Sequence, residues 1–62
     1  MGPVEQISED RRRLIFAAVV EAQDGKVDVA RSRQLAAFRF GLNETQIEQI
    51  EQQGIEGGWP PL

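Results

Sequence analysis

Apolar and polar positions alternate along this chain with a helical period in three separate stretches, each bounded by residues that start or stop a helix. In the first, Leu14, Ile15, Ala18, Val19 and Ala22 recur at spacings of three and four, with Phe16 and Val20 on the flank. That width, broader than one stripe, predicts a helix buried on more than one side. Ser8 is placed to cap it. Its hydroxyl can accept from an unpaired N–H of the first turn, and Glu9 and Asp10 suit the positive end of the helix dipole. Asp24-Gly25 is the expected stop, because glycine enters the left-handed region without steric cost. A second helix is expected from near Asp28, another good cap, to Phe40. Leu35, Phe38, Ala30 and Ala37 would face inward, and Arg31, Arg33 and Arg39 would reach solvent.

The third stretch has the sharpest boundaries. Gly41 ends the second helix, and Asn43 opens the third, with Gln46 three residues on to complete a capping box. Leu42 and Ile47 flank that cap as a hydrophobic staple. Gly54 is the expected left-handed C′ residue, with Ile55 turning back onto Ile50, so the helix is expected over residues 44–53. Beyond it, Gly57, Gly58, Pro60 and Pro61 predict an extended tail with polyproline II geometry. The expected organisation is a flexible N-terminus over residues 1–7, a three-helix domain over 8–55 and an extended Trp-Pro-Pro tail over 56–62. The fold class is small all-α, with the second and third helices joined by a tight glycine turn in the manner of a helix-turn-helix.

At Arg39-Phe40-Gly41-Leu42-Asn43, followed by Ile47, Gln49-Ile50-Glu51 and Ile55, the chain resembles the helix-turn-helix of region 4 in bacterial sigma factors. The resemblance covers residues 33–55 and rests largely on core and capping positions. It implies a helix-turn-helix fold and a DNA-binding, transcription-associated role. In that role Thr45, Gln46, Gln49 and Gln52 on the third helix would face base edges, since Gln and Thr can hydrogen-bond them. Arg33 and Arg39, with Arg31, would contact phosphates, because the first helix of the motif crosses the backbone. The chain departs from the family where DNA would lie. The family's third helix carries several arginines at exposed positions, and here the same stretch carries Glu44, Glu48 and Glu51 and no basic residue.

Charge sharpens that departure. Net charge is −3. Residues 1–40 hold all seven basic side chains and six acidic ones, whereas residues 41–62 hold four acidic side chains and no basic one. Phosphate contacts by Lys and Arg supply most non-specific DNA affinity, so this third helix would be repelled by a duplex unless arginines elsewhere offset it. A second function class follows from the same observation. The acidic third helix and the tail Trp59-Pro60-Pro61-Leu62 would contact a protein partner, with Trp59 as anchor. The competing use for Trp59 is to fold back over the thin core with help from Leu62.

Chemistry is constrained by what the chain lacks. It has no Cys and no His, which removes thiolate and imidazole metal ligands, the cysteine nucleophile and the usual general base near neutral pH. Ser8, Ser32 and Thr45 have no histidine to activate them. No enzyme activity, cofactor or metal is expected. Asp24-Gly25-Lys26-Val27-Asp28 is not a calcium loop, since Lys26, Val29 and Leu35 would occupy the third, sixth and twelfth positions. Arg11-Arg12-Arg13 is read as a solvated first turn, with Arg13 paired to Glu9 one turn back. The longest apolar run, Leu14 to Val20, is far short of the roughly 20 residues that span a bilayer. Residues 1–5 lack a basic region followed by an apolar core, so no signal peptide is expected and a cytoplasmic location is the default. A domain of 62 residues buries only about 60% of its extended-chain surface, so a homodimer would help its stability.

Overall fold

Each helix begins where a polar side chain takes up a backbone N–H that has no partner inside the helix. The computed structural model describes residues 6–61. It contains α1 (Glu9–Asp24), α2 (Val29–Phe40) and α3 (Glu44–Gly57), with no strand among the described residues. Ser8 Oγ accepts from the Arg11 N–H at 3.2 Å and Asp28 Oδ1 accepts from the Arg31 N–H at 2.8 Å. At α3 the capping box is complete. The Gln46 N–H donates to Asn43 Oδ1 at 2.8 Å, and the Asn43 N–H donates to Gln46 Oε1 at 3.0 Å. All three starts fall where the capping residues predict.

The stops are less uniform. Gly41 ends α2 in the left-handed region (φ 69°, ψ 35°), and the Gly41 and Leu42 N–H groups both reach the Ala37 carbonyl. After α1 the left-handed residue is Lys26 (φ 70°) and not Gly25 (φ −78°), which corrects the expected stop by one position. The hydrogen bonds explain the shift. The Val27 N–H returns to the Ala22 carbonyl and the Lys26 N–H to the Gln23 carbonyl, a Schellman pattern whose C′ position is Lys26.

α3 runs past its expected end. Gly54 is not a C′ residue but a buried helical one, because the Phe16 ring lies where its side chain would be. A Cβ at Gly54 would sit closer than 3.0 Å to Phe16 Cδ1, Cε1 and Cγ. The left-handed stop is Gly58 (φ 61°, ψ 39°). There the Trp59 N–H donates to the Gly54 carbonyl and the Gly58 N–H to the Ile55 carbonyl. Ile55 is therefore 65% exposed instead of folded onto Ile50, and Glu56 and Gly57 are helical instead of part of a tail. Residues 60 and 61 form a turn and not a polyproline II extension: Pro60 and Pro61 follow Trp59 there, with a cis peptide between them.

Every helix packs on both others. The radius of gyration is 10.5 Å, against about 10.6 Å for a folded chain of this length. The core comprises Ile15, Phe16 and Val19 from α1, Ala36 and Ala37 from α2, Ile47 and Ile50 from α3, and Trp59. Ile7, Val20, Phe40 and Leu42 pack against it from the margins. Phe16 is thus central and not flanking, and Leu14 is exposed. α2 is rotated by about one residue from the expected phase. Leu35, Phe38 and Ala30 face outward, while Ser32, Ala36 and Ala37 face inward. The buried inward residues of α2 are all small. The buried Ser32 hydroxyl is satisfied by donating to the Val29 carbonyl at 2.8 Å.

Candidate interaction surfaces

The outer face of α3 carries Glu44, Thr45, Glu48, Gln49, Gln52 and Glu56, all exposed. Gln46, expected on that face, is buried and used in the capping box, so it cannot face a base edge. The exposed Gln52 amide donates to Glu56 Oε1 at 3.1 Å, one turn along.

The three arginines expected to hold phosphate do not converge. Arg33 is turned onto α3, where its Nε donates to Glu51 Oε1 at 2.6 Å and its Nη1 to Glu48 Oε1 at 3.0 Å. It is not the solvated residue its position implied. The hydrogen bond to Glu51 is the main cause holding the Arg33 guanidinium above its ordinary pKa, against the opposing effect of burial. Arg39 instead lines the opposite side of α2, facing α1, with its guanidinium 5.3 Å from the Phe40 ring centroid. Arg31 lies on the outward side and is exposed. One helix therefore carries its three cations toward three different surroundings.

Arg11, Arg12 and Arg13 are dispersed in the same way. Arg11 stands 5.9 Å from the Phe40 ring centroid. Arg12 donates to Gln53 Oε1 at 2.9 Å, tying α1 to α3. Arg13 pairs with Glu9 at 3.1 Å and lies 5.3 Å from the Trp59 ring centroid. Each thus has its own contact within the domain.

Trp59 is 8% exposed and meets Phe16 edge to face, with centroids 6.1 Å apart and planes at 86°. Its role as an exposed anchor for a partner is thereby corrected: the ring closes the core. Pro60 and Pro61 are exposed, and Leu62 lies outside the described residues, as do Met1 to Glu5 of the expected flexible N-terminus.

Two features were not expected from sequence. The first is a polar bridge across all three helices. The Gln23 amide donates to Ser32 Oγ at 3.2 Å and reaches Glu51 Oε2 at 3.5 Å, and Glu51 in turn accepts from Arg33. Its signal was present: Gln23 lies four residues after Val19, and Glu51 four after Ile47, on the inward stripes. The second is the open seam between α1 and α2, a depression of about 180 Å³ lined by Ala18, Ala22, Ser32, Leu35, Ala36 and Arg39. Leu35 in its lining is 48% exposed, and one helical turn away along the same helices Leu14, four residues before Ala18, is 60% exposed and Phe38, three after Leu35, is 92% exposed.

Among the described residues no group of acidic side chains is arranged to hold a metal ion, and no helix is long and apolar enough to cross a membrane. No protein-family model matches the chain, and no curated protein or solved structure matches it either.

Proposed function

We propose that this protein is a non-catalytic protein-interaction module whose acidic α3 face docks on a partner with a basic surface. The observation that carries the reading is the engagement of Arg33. The arginine nearest to that face is held between Glu48 and Glu51. The remaining surface presents Glu44, Glu56 and an exposed Ile55, with no free cation among residues 41–61. Ile55 supplies an apolar anchor, and the surrounding carboxylates supply orientation and steering. The Trp-Pro-Pro segment takes part only through Pro60 and Pro61, which are the exposed residues of that turn.

A DNA-associated role is the second reading. It is favoured by the three-residue connection of Gly41, Leu42 and Asn43 between α2 and α3, a turn of the kind that a helix-turn-helix uses. In that reading Thr45, Gln49 and Gln52 meet bases while Arg31 and Arg39 hold phosphate. Arg33 could join only by abandoning Glu51, whose side chain is 12% exposed and would keep only its 3.5 Å contact with the Gln23 amide, at a cost of about 1–3 kcal/mol. Fold likeness alone does not assign a function.

An NMR titration of the labelled protein separates the two. The probes are a mixed-sequence DNA duplex at low and moderate salt, and an arginine-rich amphipathic peptide. The module reading expects peptide-induced shifts along residues 44–56 and none with duplex at high micromolar concentration. Duplex-induced shifts across residues 31–53 that weaken steeply with salt would overturn it in favour of DNA.

A further inference from the structure

The seam between α1 and α2 bears a pattern that is complementary to itself. Asp10, Leu14, Ala18 and Glu21 fall along one stripe of α1, at spacings of four, four and three. Arg31, Leu35 and Phe38 form the facing stripe of α2, with Arg39 beside them in the depression. The two helices run in opposite directions, as Gln23 meeting Ser32 at one end and Arg11 meeting Phe40 at the other require. Acidic residues therefore close the two ends of the α1 stripe and basic residues the two ends of the α2 stripe, with Leu14, Ala18, Leu35 and Phe38 between them, and Arg11 stands by the same Phe40 ring as Arg39. Among the described residues, none of Asp10, Glu21, Arg31 and Arg39 takes part in a salt bridge.

We propose that a second copy of this chain seats on this face, related by a two-fold axis lying along the helices. Such an axis exchanges left and right while preserving direction along the helices. α1 of each copy then lies over α2 of the other. Asp10 comes opposite Arg39 of the second copy, and Glu21 opposite its Arg31. A two-fold across the helices would instead set acid against acid. Phe38 of each copy reaches over the Leu14–Ala18 segment of the other, at the mouth of the depression. Exposed apolar strips of this kind mark association surfaces, and an isologous contact needs one patch that fits itself. The charged edges fix the register more than the affinity. This inference is independent of the α3 face, which lies elsewhere on the molecule.

Sedimentation equilibrium from micromolar to millimolar concentration tests it. The apparent mass should rise from 7.0 kDa to twice that value. Phe38→Asp and Leu35→Asp, both at exposed positions, should abolish the rise while leaving the far-UV circular dichroism unchanged. Glu21→Arg or Arg31→Glu alone should weaken association roughly fivefold or more, the equivalent of about 1 kcal/mol for an exposed pair, and the two combined should restore it. A mass of 7.0 kDa at every concentration overturns the proposal, as does undiminished association of Phe38→Asp. A monomer whose α1 and α2 amides shift only with an acidic amphipathic peptide overturns it in favour of a different partner. Single charge reversals without rescue overturn the register.

Discussion

Along the seam between α1 and α3, Phe16 fills the notch left by Gly54, Trp59 lies across Phe16, and Arg12 bridges to Gln53. Along the seam between α1 and α2, Ala18 and Ala22 face Ala36 and Leu35, and a depression of about 180 Å³ remains. Each seam holds a notch left by small residues, Gly54 at one and Ala18, Ala22 and Ala36 at the other, and they differ in whether a large side chain arrives to fill it. At α3 the chain turns back through Gly58 and delivers its only Trp. At α2, Phe38 sits on the outward phase and Leu35 lines the depression while remaining half exposed, so neither fills it. The lesson is that a glycine or alanine stripe closes a seam only when a bulky residue is supplied to the gap beside it. Otherwise it leaves a surface fit for something else.

Three substitutions probe that contrast and a fourth the turn between α1 and α2, and urea unfolding followed by circular dichroism reads each of them. Trp59→Ala should be the most severe, at about 3–5 kcal/mol. A domain of this size has about 3–9 kcal/mol in total, so most or all of the helical signal should be lost at modest denaturant. A midpoint near that of the parent would mean that Trp59 does not seal the α1–α3 seam. Gly54→Ala comes next. The added methyl overlaps the Phe16 ring, and overpacking costs about 1–3 kcal/mol even though alanine is the better helix former by about 1 kcal/mol. Stabilisation by this change would show that the ring moves aside freely. Lys26→Gly should raise stability by about 1 kcal/mol, because it removes a side chain from the left-handed region. No gain would place the cost of that turn elsewhere. Ala18→Met, directed into the open seam, should change stability by no more than about 0.5 kcal/mol. A loss as large as that of Gly54→Ala would erase the distinction between the seams.

What was legible in the sequence was local. The caps at Ser8, Asp28 and Asn43 with Gln46, and the left-handed Gly41, depend on residues within one turn of one another, and each stands where its type demands. What was not legible required a partner distant in the chain. Gly54 reads as a stop until Phe16 is known to press on it. The phase of α2 is ambiguous because Leu35 and Phe38 on one side and Ala36 and Ala37 on the other are all apolar, and only the fit against α1 and α3 chooses between them. The solvated role expected for Arg33 failed for the same reason: the carboxylates that bind it belong to α3. Even so, Gln23 and Glu51 stood on the inward stripes as polar residues where apolar ones were due, and that mismatch was visible in one dimension.

The position of Trp59 makes it a natural optical probe. Buried against Phe16 in the folded chain, it would shift its fluorescence emission to longer wavelength once water reached the indole. The chain holds no second Trp and no Tyr to confuse that signal. Emission therefore reports the docking of the C-terminal turn alone, while ellipticity reports the helices. Coincidence of the two curves in one titration would establish that closing the lid and winding the coils are a single cooperative event.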